Sequence, residues 1–376
     1  MHISLNSRSA FALVTLFTFI PHLLRAQTPQ PDILIFTDGE TLLGHLERAT
    51  ASSVTFKSNM AGEITVDWSK IKELRSSERF AVIKKGAKLS WRQSTAGIAQ
   101  GTLTASGSQI QIRAAANTPP VNIPTNQVQN VVGAEEFQKA VGERPNFFAD
   151  WKGSATAGVS LVEATQNERT FTGTVNLTRT MPTEDWLNPS NRTSVLFSDS
   201  YGTLSQPGTP SVKTSILHAS AERDQYFSPN LFGFAQADFL HNYAQGLDLQ
   251  QTYGGGVGWT VIKNTNEQLD VRAAVTYIRQ QFQLASANQN LVGSLFSQTF
   301  DRKFVHGIDL HELLAISPAW NNTNAYSANG EVGLTFPVYK RLGFTIDAQD
   351  SYLNNPPLGF KKNSFTFTTG ATYTVP

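Results

Sequence analysis

From Asp150 to Val375 apolar and polar residues alternate with a period of two, the pattern of strands with one apolar face. In the last stretch, SFTFTTGATYTVP, Phe365, Phe367, Ala371, Tyr373 and Val375 share one parity, which only Thr369 interrupts. Ser364, Thr366, Thr368, Gly370, Thr372 and Thr374 share the other. Upstream, Tyr326, Ala328, Val332, Leu334 and Phe336 oppose Ser327, Asn329, Glu331 and Thr335. Leu269, Val271, Val275 and Tyr277 oppose Asp270, Arg272 and Thr276, and Phe171, Val175 and Leu177 oppose Thr172, Thr174 and Asn176. The pattern predicts strands at 150–162, 168–180, 192–203, 212–226, 230–243, 250–262, 267–282, 291–301, 304–316, 324–336, 340–353 and 364–375. That is about twelve, an even number as single-chain bacterial barrels have. Their lengths are near the roughly 9–11 residues that cross a bilayer when tilted.

The polar parity is rich in Thr, Ser, Asn, Gln and Gly rather than Lys and Glu, which suits a narrow wet interior better than bulk water. Aromatic residues such as Trp151, Trp259, Tyr326, Phe336 and Tyr352 sit near segment ends, where interfacial girdles lie. The expectation is an all-β chain whose main part is an antiparallel transmembrane β-barrel of about twelve strands. Closure pairs every backbone group internally, as lipid requires.

Residues 31–134 have a different texture. Short β-rich runs at Ile33–Phe36, Leu42–Leu46, Val54–Lys57 and Ile64–Trp68 surround the turn signal Asp38-Gly39. An offset of 57 aligns Gly44 with Gly101, Leu46 with Leu103, Ile64 with Val121, Val66 with Ile123, Ile71 with Val128 and Leu74 with Val131. This predicts a small SH3-like or Sm-like module at 31–84, a second, repeated module at 85–134, a linker at 135–149 and the barrel at 150–376. The N-terminal segment lacks the mixed aromatic and basic surface that single-stranded nucleic acid needs, so no nucleic-acid partner is expected.

Composition agrees with export. Charged residues are 16% of the 376 and the net charge is +1, while mean hydropathy is only −0.23. There is no cysteine, which excludes disulfides, thiolate nucleophiles and cysteine metal sites. The N-terminus carries Arg8, an apolar run from Ala10 to Ile20 and Leu24-Arg25-Ala26, and it reads as a signal peptide over 1–26.

Candidate chemistry is sparse. Parity places Asp238, Asp270, Arg272, Asp309, His311, Glu331 and Asp347 on the lumenal face, where mixed signs pair and fill a small interior. In VHGIDLHE, Asp309 and His311 share one face and His306 and Glu312 the other, so the strand alone holds no four-ligand metal site. Asp309 and His311 are read as a polar pair. In LHASAERD, His218 and Ser220 resemble the His and Ser of outer-membrane phospholipases, whose Gln-Ser-Asn-Gly run is absent here; the resemblance implies a lipid hydrolase with Ser220 as nucleophile and His218 as base. The glycines Gly254, Gly255 and Gly256 lack the Lys-Ser/Thr of a phosphate loop and read as a bend or as room for a lumenal neighbour. No catalytic residue, metal or cofactor is assigned.

The stretches ERDQYFSPNLFGFAQADFLHNYAQGLDLQQTYGGGVGW, GLTFPVYKRLGFTIDAQDSYLNNPPLGFKKNSFTFTTGATYTV and DGETLLGHL with GEITVDWSKI resemble the salt-induced outer-membrane proteins, domain-of-unknown-function family number 481. The resemblance implies a Gram-negative outer-membrane barrel with a small periplasmic β-domain ahead of it, and no enzyme activity. The C-terminal strand also resembles the insertion signal of such barrels, with Thr368, Gly370, Tyr373 and Val375 in its places. Expected partners are therefore outer-membrane lipid, the barrel assembly machinery and an unknown periplasmic partner of the N-terminal modules. The expected role is structural, as a scaffold or stress-associated barrel. Two alternatives stand beside it, a narrow passive channel for small solutes or ions, and the lipid hydrolase.

Overall fold

The computed structural model describes residues 30–87, 89, 97–142, 146–163, 167–184, 186–205 and 211–375. The expected signal peptide, residues 1–26, lies outside them. The chain falls into two compact units, residues 1–80 with 100–126, and residues 81–99 with 127–376.

In the first unit the strands are β1 (Asp32–Phe36), β2 (Thr41–Thr50), β3 (Ser53–Ser58), β4 (Gly62–Asp67), the start of β5 (Ile71–Lys84), β6 (Ala99–Ser106), β7 (Gln109–Arg113) and β8 (Val121–Pro124). They form one sheet in the order β4-β3-β2-β1-β5-β6-β7-β8. Strands from both expected modules thus join one sheet. Leu34, Val54, Phe56, Leu74, Leu103, Ile110 and Ile123 are fully buried, and their burial drives the folding of this unit. The elements recur at the offset of 57: a 3₁₀ turn at Trp68–Lys70 is matched by one at Thr125–Gln127. Gly44 and Gly101 occupy equivalent tight places. A Cβ there would lie 2.0 Å from the carbonyl oxygen of Lys57 in one case and of Arg113 in the other. Asp67 caps the first turn by accepting the Ser69 amide at 2.8 Å, and hydrogen bonding from the Ser69 side chain, then from this amide, holds its carboxyl below the usual range.

In the second unit β9 (Val128–Gly133) leads into α1 (Ala134–Gly142), the start of the stretch expected to be a linker. The helix is packed. Phe137 and Val141 are buried with Ala81, Ile83, Trp186 and Leu187, and the rings of Phe137 and Trp186 stack at 5.9 Å.

The rest of this unit is a barrel. Its strands are β10 (Lys152–Glu163), β11 (Asn167–Met181), β12 (Asn191–Ser205), β13 (Val212–Tyr226), β14 (Leu231–Asn242), β15 (Leu247–Lys263), β16 (Glu267–Phe282), β17 (Gln289–Lys303), β18 (Asp309–Pro318), β19 (Tyr326–Tyr339), β20 (Leu342–Leu353) and β21 (Asn363–Val375). Each pairs antiparallel with the next, and β21 closes on β10 with Gly153 opposite Val375 and Gly158 opposite Gly370. All twelve expected strands are present. The ninth starts later than expected, because residues 305–307 form a tight turn with His306 at φ 67°.

The alternation sorts the faces. Val159, Phe171, Phe197, Val257, Trp259, Val275, Phe296, Leu314, Phe365 and Phe367 are all exposed on the outer wall. The hydroxyl parity turns inward, where Thr156 and Thr372 meet across the closing seam at 2.8 Å.

Candidate functional site in the barrel lumen

One half of the lumen is filled. On β14, Phe232 is fully buried and Phe234 nearly so, and both pack on Ala274 of β16 and Leu295 of β17. Strand β15 lies between them and makes room with glycine. A Cβ on Gly258 would lie 2.2 Å from the Phe232 ring, and one on Gly254 would lie 3.0 Å from the Thr276 methyl. At Gly256 a Cβ would fall 2.0 Å from the Ala273 carbonyl oxygen. Gly258 therefore lets the Phe232 ring lie across the strand.

Beside these rings an ionic network crosses the lumen near the end that carries the barrel's own termini. Arg192 of β12 donates from Nε to Asp224 of β13 at 2.6 Å and from Nη1 to Asp270 of β16 at 2.7 Å. Thr260 donates to the other oxygen of Asp270 at 2.7 Å. Arg272 lies 3.3 Å from Glu222 and 3.5 Å from Asp270, and it donates to Thr299 at 3.0 Å. The Arg192 guanidinium also sits 5.1 Å from the centre of the Phe232 ring. Asp224 is 1% exposed and Asp270 2%, so these are buried ion pairs with several hydrogen bonds. One arginine thus ties strands that lie four apart around the wall.

The opposite mouth is covered by the turn between β14 and β15. Asn242 accepts the Gln245 amide at 3.3 Å, and Gly246 takes φ +66°, a left-handed conformation that suits glycine. The Gln245 side chain then donates to the carbonyls of Ser351 in β20 at 2.9 Å and of Lys362, just before β21, at 2.8 Å, across the barrel. Leu247, Phe282 and Leu353 pack together at this mouth. The void lined by Gln245, Leu247, Gln250, Ser327 and Leu353 is about 10 Å³, enough for one water at most.

The other half of the lumen is lined by small hydroxyls and acids. Thr178 meets Ser194 at 3.1 Å, Thr174 donates to Ser198 at 3.3 Å, and Thr335 meets Thr345 at 2.9 Å. His218 bonds Asp238, and His311 Nδ1 lies 2.7 Å from Asp301. Gly333 stands between His311 and Asp347 in the register, and a Cβ there would lie 3.0 Å from the Asp347 carboxylate. Glu331 faces Asp347 and both histidines.

The expected lumenal charges therefore divide into three groups. Asp270 and Arg272 join the filled half, whereas Asp238, His311, Glu331 and Asp347 line the open half. Asp309 sits at the rim, 3.8 Å from Lys303. The expected pairing of Asp309 with His311 is corrected: His311 takes Asp301 instead. Same-face neighbours along a strand are nearly 7 Å apart, whereas residues directly opposite across a ladder are about 5 Å apart. His306 lies in the turn rather than on a strand, and Glu312 accepts from Gln298 at 2.9 Å on the outer wall. Among the described residues no three His, Asp or Glu side chains converge as a metal site. His218 is bonded to Asp238, and Ser220 lies opposite Asp238 in the register. No hydrogen bond joins His218 to Ser220 among the described residues.

Reading the sequence did not single out Arg192, Asp224, Glu222, Asp301 or Gln245. The first four share the lumenal parity of their strands and were readable from it. Gln245 lies in a turn, where no period applies.

No curated protein matches the chain. Among solved structures, the NanC porin shares 8% identity with it at TM-score 0.36, over 59% of this chain and 100% of that one. An outer-membrane channel from Pseudomonas putida F1 shares 13% at TM-score 0.35, over 62% and 100%. The translocator domain of the autotransporter NalP from Neisseria meningitidis shares 11% at TM-score 0.32, over 59% and 86%. The family model described as "Protein of unknown function, DUF481" matches residues 155–375, nearly the whole barrel. The chain belongs to the DUF481 family.

Proposed function

We propose that this protein is a Gram-negative outer-membrane barrel with a structural role and a closed resting lumen, its N-terminal SH3-like or Sm-like modules lying in the periplasm. The outer wall supports the membrane reading. Its apolar side chains are exposed on strand after strand, and the ladder closes on itself where β21 pairs with β10. The observation that carries the closed resting state is the double obstruction, with the Arg192 network and Phe232 at one end and the Gln245 turn at the other.

A second reading, a gated cation path, is favoured by the acid-lined half of the lumen. Asp238, Asp301, Glu331 and Asp347 would attract cations if the Gln245 turn lifted and the Arg192–Phe232 barrier parted. Planar-bilayer recording separates the two. The unmodified protein is expected to give no steady conductance, and Gln245→Ala and Leu247→Ala combined with Arg192→Ala and Phe232→Ala, which relieve both ends, are expected to give brief, cation-selective openings. A steady conductance from the unmodified protein would reject the closed resting state. A folded but silent variant with both ends relieved would leave the scaffold reading and remove the gated one.

A further inference from the structure

The outer wall carries a groove of about 620 Å³ running over β16 to β20. Phe296, Leu314 and Ile316 bound it, and Gly330 forms part of its floor. Three outward polar side chains line it as well, Gln298, Asp350 and Tyr352, whose hydroxyl donates to Asn354 at 2.8 Å. Gln298 is committed, since it donates to Glu312. Asp350 is not. One of its oxygens meets Asn363 at a long 3.4 Å, and the other, Oδ1, is buried with no partner. The one cation on the lining, Arg272, turns its guanidinium into the lumen toward Glu222 and Asp270.

A carboxylate oxygen removed from water and left without a donor is costly. An apolar cleft of this size with a few placed polar groups has the makeup of a ligand site. We infer that this groove holds one acyl chain of a phospholipid whose ammonium headgroup donates to Asp350. Charge complementarity selects that class. Asp350 repels an anionic headgroup, Glu312 stands beside the groove with the same sign, and among the described lining residues the one basic side chain, Arg272, points into the lumen. The inference rests on the membrane reading proposed above.

Gly330 provides a clean probe. A Cβ there meets only the Leu314 side chain, at an ordinary 3.5 Å, so Gly330→Leu fills the groove without pressing on backbone. The full chain would be purified from membranes in mild detergent. It would then be exchanged with micelles containing phosphatidylethanolamine or phosphatidylglycerol of matched acyl chains, and bound lipid counted by native mass spectrometry. The expected result is one phosphatidylethanolamine retained per barrel, with about a tenfold preference over phosphatidylglycerol, as one charge-assisted hydrogen bond provides. Asp350→Asn should abolish the preference, and Gly330→Leu should abolish retention of both lipids while the barrel stays folded. Equal retention of the two lipids, or retention unchanged by Gly330→Leu, overturns the inference. If a folded, heat-modifiable barrel retains no lipid, the groove proposal fails while the membrane reading stands. If the chain gives no heat-modifiable barrel at all, both fail.

Discussion

Arg192→Ala is expected to destabilise the barrel by roughly 3–5 kcal/mol, the range for removing one partner of a buried ion pair. The guanidinium bridges Asp224 and Asp270, and both carboxylates are almost fully buried. Alanine would leave both with one donor fewer. Asp270 would keep Thr260 and the more distant Arg272, whereas Asp224 would lose its charge partner altogether. Lysine should rescue little, because a single ammonium cannot reproduce two bonds from different edges of a planar fork. Removing the stranded charges should rescue more: Arg192→Met combined with Asp224→Asn and Asp270→Asn is expected to recover much of the loss. Denaturant titration of the detergent-solubilised barrel measures all three. A change below about 0.5 kcal/mol for Arg192→Ala would mean that the network is solvated and behaves like a surface pair, and the obstruction at that end would then be Phe232 alone.

The second large effect is expected at the seam. Gly158 and Gly370 face each other where β10 meets β21. A Cβ on Gly370 would lie 2.4 Å from the Ala157 carbonyl oxygen, and one on Gly158 would lie 2.5 Å from the Thr369 carbonyl oxygen. Both contacts are with backbone, so no side chain can swing away. Gly370→Val should therefore push the closing strands apart, by strain of about 1–3 kcal/mol on the overpacking scale, and unpair ladder bonds that lipid cannot replace. Sliding the register by one residue offers no relief, since it turns Phe365, Phe367 and Tyr373 into the lumen. Gly173→Val is the control, because a Cβ at Gly173 meets nothing within 4 Å. Gly370 is also one of the four positions of the expected insertion signal. Refolding purified chains into detergent, without cellular machinery, distinguishes the two roles. Failure of Gly370→Val to close in detergent assigns the glycine to the seam. Normal closure there, with failure only in cells, assigns it to the signal.

The strands were legible because a barrel repeats one rule. The outer wall needs apolar side chains and the inner wall needs small or polar ones, so parity alone placed Asp270 beside Arg272 and separated Phe365 from Thr366. Partners were less legible. His311 follows Asp309 by two residues, yet it pairs with Asp301 across the ladder, and that choice depends on register rather than spacing. The closed mouth was not legible at all. Gln245 sits in a turn and reaches carbonyls more than a hundred residues later, a contact that only the closed circle brings together. The glycines were half legible. Of Gly254, Gly255 and Gly256, read as a bend or as room for a lumenal neighbour, Gly254 makes room for the Thr276 methyl, Gly256 approaches the Ala273 carbonyl and Gly255 has ordinary contacts, whereas the partner of Gly258, the Phe232 ring, depends on which residues of β14 and β15 stand opposite each other.

The central claim is a closed barrel that resides in the outer membrane. The most direct test is electrophoresis of the outer-membrane fraction in denaturing detergent with and without prior boiling, probed for this chain. A protein found in that fraction whose unboiled band migrates apart from its boiled band is the predicted result. A chain recovered in the soluble fraction, with one band position under both conditions, would contradict the account and return the alternating strands to a secreted sandwich.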